Sequence, residues 1–176
     1  MVKLIIGVVI AAVVVIGGFL VLTPIVNSSN SSTSETIDTS HAYTIEGEIN
    51  KSGTYIISGS EVTMADLIEA AGGVTSNADE LAYIEEAVLT VGVSYYIAPK
   101  FDYADTCHDT EISKVNINED DAETLLTING ITSSIASGIV SYRNTNGTYN
   151  TLEDLLDVYG IGNSTYRKVR NYVTLR

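Results

Sequence analysis

Hydrophobic residues are spread unevenly along the 176-residue chain, and the longest apolar run lies at its start. Residues 4–26 carry no charged side chain and are mostly Val, Ile, Ala, Leu and Gly. At about 1.5 Å per residue, a helix of this length crosses the roughly 30 Å hydrocarbon core of a bilayer. A cleaved signal peptide is the alternative, but its apolar core usually spans about 7–15 residues and ends at a small-residue cleavage site. The pattern therefore predicts an uncleaved transmembrane anchor over residues 1–26.

The residues that flank this run set the expected orientation. Lys3 is the nearest charge, and a positive flank favours a cytoplasmic N-terminus. Residues 27–41 are mostly Ser, Thr and Asn, which bury too little apolar surface to fold and are typical of a flexible stalk. We therefore expect a single-pass protein of the cell membrane with its C-terminal domains extracytoplasmic.

A first folded module is predicted over residues 42–100. Alternating side chains over residues 43–49 indicate a half-buried strand, and a turn at 50–53 leads into a second strand at 54–57. Apolar residues at 64, 67, 68 and 71 then follow Thr63 at helical spacing, so Thr63 is the predicted N-cap. A later strand over residues 94–98 completes an α+β module.

The last part of the chain, residues 114–176, contains an internal repeat. Residues 125–139 correspond to residues 155–169 at an offset of 30, and Gly130-Ile131 matches Gly160-Ile161. Each copy predicts helix, tight glycine turn and second helix, so this domain is expected to be all-α. Glycine permits φ > 0, and the free N–H groups at the following helix start can point at an anion. Two such turns would form two phosphate cradles, suited to the two strands of one duplex and unable to read bases.

The charge balance first argues against nucleic acid and then limits where it can bind. The chain has 9 basic and 22 acidic residues, a net charge of −13. Residues 27–110 hold two basic and 14 acidic residues, whereas residues 111–176 hold six and eight. Residues 160–176 carry four basic residues and no acid. DNA is therefore confined to the C-terminal end, although cations near a helix C-terminus are also favoured by the helix dipole alone.

Catalytic and metal chemistry find little support in the composition. One Cys and two His rule out a disulfide framework within the chain and a Cys-rich zinc site. No nucleophile–base pair or nucleotide-binding loop is recognisable, so we expect a binding protein without cofactors and not an enzyme. Residues 101–113 are predicted to be a solvated linker. A divalent ion on its oxygen and imidazole side chains, or a cross-link through Cys107, is the less favoured alternative for this segment. The side chains concerned are Asp102, Asp105, His108 and Asp109.

The first module resembles the soluble-ligand-binding β-grasp (SLBB) module. The resemblance rests on residues 47–49 with 52–55, on residues 67–74 with their Ala-Ala-Gly-Gly segment, and on residues 95–99. Such modules bind soluble ligands, often glycans, or mediate self-association.

The C-terminal domain resembles the tandem helix-hairpin-helix domain of the ComEA competence family. The matching segments are residues 115–118, 122–126, 139–143, 147–149 and 152–155, together with both glycine turns. The order of anchor, stalk, β-grasp module and this domain is also that of the family. The resemblance implies a cell-surface receptor that binds double-stranded DNA without sequence preference and takes it up in natural transformation. Its implied partners are the competence channel and pilus proteins, and a second copy through the β-grasp module.

The hairpin residues carry over onto this chain position by position. Where the family prefers Gly, the first hairpin has Thr132, and a β-branched residue would be strained if that position needed a left-handed backbone. The second hairpin is therefore expected to be the better phosphate cradle. The predicted DNA-binding residues are Gly130, Thr132, Ser133, Ser134, Gly160, Gly162, Asn163, Ser164, Arg167, Lys168 and Arg170.

An alternative function stays open at this point. A membrane-anchored scaffold could bind envelope glycans or proteins through the β-grasp module, with the hairpins serving assembly. Tyrosines in the C-terminal domain could stack on bases, but their spacing favours core or rim positions. They are Tyr142, Tyr149, Tyr159, Tyr166 and Tyr172.

Overall fold

A hairpin and a returning parallel strand form the sheet of the first module. The computed structural model describes residues 40–102 and 110–176. Strand β1 (Ser40–Gly47) pairs antiparallel with β2 (Gly53–Ser58), and β3 (Ser94–Ile97) pairs parallel with β1 on its other side. The sheet order is therefore β2-β1-β3. This arrangement confirms the predicted mixed α/β module.

Helix α1 (Met64–Ala70) begins where its sequence predicts. Thr63 is the N-cap, and its hydroxyl accepts a hydrogen bond from the Asp66 amide while the Asp66 carboxylate accepts one from the Thr63 amide. This reciprocal pair satisfies two donors that the first turn leaves open. Leu67 of α1 packs with Ile45 and Ile97 of the sheet in the core of the module.

Four short helices form the C-terminal module. Helix α2 (Ala122–Leu125) and α3 (Ser133–Asn146) make the first hairpin, and the 3₁₀ helix Leu152–Asp157 and α4 (Asn163–Val169) make the second. Their apolar faces share one hydrophobic core with the residues just before the first hairpin and just after the second. The largest fully buried side chains of this module are Ile117, Leu125, Ile139, Tyr149, Leu152, Leu155, Val169 and Val173.

The sequence predicts an all-α C-terminal domain, but the structure adds a pair of short strands to it. Its first strand, β6 (Val115–Asn116), pairs parallel with β7 (Val173–Thr174) at the end of the chain. Two residues give no usable alternation, so the sequence carries no signal for this pair. The pairing joins the entry and the exit of the helical repeat.

The segment predicted as linker contributes a pair of short strands. Strand β4 (Phe101–Asp102) pairs antiparallel with β5 (Thr110–Glu111), and the Ile112 amide donates to the Lys100 carbonyl at 3.0 Å. Asp105, Cys107, His108 and Asp109 lie outside the described residues. Within residues 40–102 and 110–176, no group of three or more His, Cys, Asp or Glu side chains is placed to hold a metal ion.

The predicted anchor and residues 27–39 of the predicted stalk also lie outside the described residues, whereas Ser40 and His41, predicted as the end of the stalk, belong to β1. Among those that are described, no helix is long and apolar enough to span a bilayer.

The two modules pack against each other. Ala82 and Ala98 of the first module belong to the hydrophobic core of the second. Lys114 pairs with Asp79 at 2.6 Å, where both side chains are almost completely covered, and the Leu175 amide donates to the Leu81 carbonyl at 2.8 Å. Burial lowers the pKa of Lys114. The sequence predicts two separate domains and gives no indication of this contact between them.

Candidate nucleic-acid interface

The two glycine turns have the same backbone geometry. The Ile131 amide donates to the Ile128 carbonyl at 3.1 Å, and the Ile161 amide donates to the Val158 carbonyl at 3.0 Å. Gly130 and Gly160 are the third residues of these turns and have φ of 107° and 95°. A four-residue turn with positive φ only at its third position is of type II, which favours glycine there. The positive φ of the third turn position thus explains why both positions, 130 and 160, are glycine.

The helix after each turn begins on an extended residue. Thr132 is the N-cap of α3 with φ −94°, and Gly162 is the N-cap of α4 with φ −100°. Thr132 is therefore not strained, because the residue with the left-handed backbone is Gly130, two positions earlier. The prediction of a less competent first hairpin rested on such strain. The Thr132 hydroxyl instead accepts a hydrogen bond from the Ile135 amide at 3.4 Å. The first hairpin is as well formed as the second.

This geometry predicts different effects of two glycine substitutions. A Cβ at Gly160 would lie 3.4 Å from Ile135 Cγ1 at an unfavourable φ, whereas a Cβ at Gly162 would meet nothing within 4 Å. We expect Gly160→Ala to lower the free energy of unfolding by about 1–2 kcal/mol. Gly162→Ser should change it by less than about 0.5 kcal/mol, because serine and glycine are both well accepted at an N-cap. Urea denaturation of both variants measures the difference, and equal losses would show that the turn assignment is incorrect.

The turns are held by contacts between the two hairpins. A Cβ built on Gly130 would lie 3.5 Å from Val169 Cγ1 and 3.8 Å from Lys168 Cβ, both on α4. Gly160 faces Ile135 of α3 in the same way. The aliphatic stem of Lys168 therefore lies beside the first turn, although Lys168 belongs to the second hairpin. Its sequence position gives no indication of this crossing.

The residues after both turns form an exposed and uncharged polar surface. The first-turn N–H groups of a helix have no acceptor within the helix and are available to a ligand. Hydroxyl groups and an amide side chain add further hydrogen-bonding capacity. The exposed residues are Thr132, Ser133 and Ser134 in the first hairpin, and Gly162, Asn163 and Ser164 in the second.

Two cations of α4 are available beside this surface. Arg167 and Lys168 are exposed, and neither forms an ion pair or a side-chain hydrogen bond within the described part of the chain. Arg143 and Arg176 differ, since their guanidinium groups donate to backbone carbonyls.

Arg170 lies in a different environment from Arg167 and Lys168. Its contacts give it a structural role instead of the predicted DNA contact. Its guanidinium donates to the Glu46 carboxylate at 2.7 Å and lies 3.5 Å above the centre of the Tyr96 ring. Only 19% of its side chain is exposed. Charged and aromatic partners of this kind hold an arginine in place. Arg170 therefore joins the two modules, and we leave it out of the candidate interface.

Glu153 lies at the contact between the modules. Its Oε1 accepts hydrogen bonds from the Tyr96 amide at 2.8 Å and the Tyr166 hydroxyl at 2.7 Å, while Oε2 is buried without a partner. Burial raises the pKa of Glu153 to about 7, against the opposing effect of the two hydrogen bonds. Glu153 lies in the first turn of the 3₁₀ helix together with Asp154, and nothing local in the sequence distinguishes this buried carboxyl group from its neighbour.

Most tyrosines of the C-terminal module are structural, as their spacing predicts. Tyr149 is fully buried and donates to the Ile139 carbonyl at 3.0 Å, and Tyr142 stacks on it with ring centres 4.8 Å apart. Tyr166 is buried against Glu153. Tyr159 is the clear exception, because 92% of it is exposed.

Comparison with known proteins identifies the C-terminal geometry. A family model described as a helix-hairpin-helix motif matches residues 110–174, which include both turns and every candidate interface residue. The chain is also 30% identical over 165 residues to ComE operon protein 1 of Bacillus subtilis (strain 168). That alignment covers 85% of this chain and 75% of the relative, so it extends well beyond the hairpins. The chain belongs to the ComEA family.

Membership of the ComEA family confirms the resemblance found in the sequence. The similarity is not confined to the second module, because an alignment over 85% of the chain must include residues of both modules. In this ComEA-family protein the two helical hairpins are the parts with matching turns, exposed polar residues and available cations.

Proposed function

We propose that this ComEA-family protein binds double-stranded DNA through the phosphates, with one hairpin contacting each strand. The observation that carries the proposal is the pair of equivalent type II turns, each followed by exposed backbone and hydroxyl groups, together with the exposed cations Arg167 and Lys168 of α4. Helix-hairpin-helix membership supports it. Contacts of this kind position a protein on a duplex and carry no sequence information.

The available charges set the expected strength and location of binding. Arg167 supplies one cation to the second hairpin, and Lys168 lies between the two hairpins because its stem packs beside Gly130. The chain as a whole carries −13, so its net charge repels DNA at long range. Binding therefore depends on short-range contacts at this one surface.

The cellular role follows from the family and the predicted anchor. We propose that the protein is held in the cell membrane by residues 1–26, with its binding surface extracytoplasmic. There it takes up DNA for natural transformation and passes it to channel and pilus proteins of the competence system. Self-association through the first module fits β2, which is an edge strand with the side chain of Ile56 77% exposed.

An electrophoretic mobility shift with the full chain in mild detergent tests the proposed activity. Two duplexes of unrelated sequence and equal length should bind with affinities within about twofold of each other, because phosphate contacts read no bases. Peptidoglycan fragments serve as the competing ligand for the envelope-binding alternative. Retention on those fragments with no shift of either duplex at low salt would contradict the proposal.

A further inference from the structure

Tyr159 presents an aromatic ring to solvent at the tip of the second hairpin. It is the second residue of the turn from Val158 to Ile161, and 92% of it is exposed, more than any other large hydrophobic residue that the structure describes. The equivalent residue of the first turn is Asn129, which is also exposed. The two tips thus differ in chemistry while their backbones match.

The turn that carries Tyr159 is held firmly in place. Val158 before it and Ile161 after it are both buried, and their backbone hydrogen bond closes the turn. A Cβ on Gly138 of α3 would lie only 3.0 Å from Val158 Cγ1, so this side of the turn is closely packed. A ring on such a support loses little backbone freedom when a ligand covers it.

The position of the ring relates it to the phosphate surface. Tyr159 precedes Gly160 and lies four residues before the N-terminal residue of α4, Asn163. A phosphate held by the exposed groups after the turn brings its attached sugar close to the tip. An exposed ring gains free energy by covering apolar surface, and the face of a deoxyribose supplies such surface in every nucleotide.

We propose that Tyr159 is a DNA-contacting residue whose ring packs on the deoxyribose next to the phosphate held by the second hairpin. This inference rests on the proposed duplex binding. It assigns an apolar contact to the second hairpin, while Asn129 gives the first hairpin a polar one. Because the sugar is common to all nucleotides, the contact adds affinity without adding sequence preference.

Replacement of the ring gives the first test. Tyr159→Ser should weaken duplex binding roughly five- to tenfold, in line with the loss of one aromatic contact to a nucleotide. The slope of log Kd against log salt should stay unchanged, because tyrosine neutralises no phosphate. Val88→Thr replaces another exposed apolar side chain, on the first module, and should leave the affinity unchanged.

The outcomes separate this inference from the proposed function. If the unmodified chain binds no duplex, the proposed function fails. If it binds and Tyr159→Ser binds equally well, only the Tyr159 contact is overturned. A larger loss for single-stranded DNA than for duplex also overturns it, because that result indicates stacking on unpaired bases.

A fluorescent reporter gives an independent readout. The chain contains no tryptophan, so Tyr159→Trp introduces a single one at the tip. Saturating duplex should shield this indole from acrylamide quenching at least twofold, whereas Val88→Trp should be quenched equally with and without DNA. Unchanged quenching of Tyr159→Trp under conditions where the duplex is bound would refute the contact.

Discussion

Reversal of both free cations on α4 should abolish most of the affinity for DNA. We expect Arg167→Glu with Lys168→Glu to weaken duplex binding by about 100-fold or more at low salt, because two attractive phosphate contacts become repulsive. Both side chains are exposed and have no ion pair in the described part of the chain, so the fold should be unaffected. Fluorescence anisotropy with a labelled mixed-sequence duplex measures the loss, and circular dichroism checks the fold.

A matched control distinguishes local contact from total charge. Lys51→Glu with Lys100→Glu changes the net charge by the same amount but lies on the first module. Long-range repulsion alone would weaken DNA binding equally in the two double variants. We expect the control to lose less than about threefold, since exposed charges outside the contact surface are screened by salt. Equal losses would mean that the hairpin surface is not the contact.

The second large effect is on stability and concerns Glu153. Its pKa of about 7 in the folded protein exceeds the ordinary value of 4.5 because the carboxyl group is buried. The folded state therefore keeps its proton between these two pKa values, while the unfolded state releases it. Stability from this group is fully present below about pH 4.5 and is lost as the pH rises through about 7. The loss should approach about 3 kcal/mol above pH 8.

Glu153→Gln tests this linkage. The carboxamide oxygen can still accept the hydrogen bonds of the Tyr96 amide and the Tyr166 hydroxyl, and it carries no charge at any pH. Other groups that face this position, among them Asp154 and Arg170, are the same in both proteins. The unfolding free energy of the Gln variant, minus that of the original chain, should therefore increase between pH 5 and pH 8. Urea denaturation at both values measures the change, and a pH-independent difference would disprove the assignment.

Local signals in the sequence predicted most of the fold and of the hairpin surface. Thr63 as the N-cap and the β1–β2 turn depend on neighbouring residues, so both appear in the pattern. The repeat likewise identified Gly130 and Gly160. Thr132 was misjudged because the sequence shows which residue departs from the family pattern but not which position of the turn has positive φ.

The sequence does not reveal roles that depend on packing between the modules. Arg170 follows Arg167 and Lys168 on one helix, but only the folded chain brings Glu46 and Tyr96 to it. Glu153 is likewise buried by a strand 57 residues earlier. Charge and helix position cannot reveal such partners. The four basic residues of 160–176 therefore divide into two exposed cations, Arg167 and Lys168, and two residues, Arg170 and Arg176, that contact the first module.

The salt dependence of duplex binding tests the central proposal most directly. Each phosphate neutralised by Lys or Arg contributes about −0.9 to the slope of log affinity against log salt. With Arg167 and Lys168 as the free cations, a labelled mixed-sequence duplex titrated at several salt concentrations should give a slope near −2. The Arg167→Gln, Lys168→Gln variant should give a slope near zero. A slope that is the same in both proteins, or no binding by the original chain at low salt, would contradict phosphate binding at the hairpins.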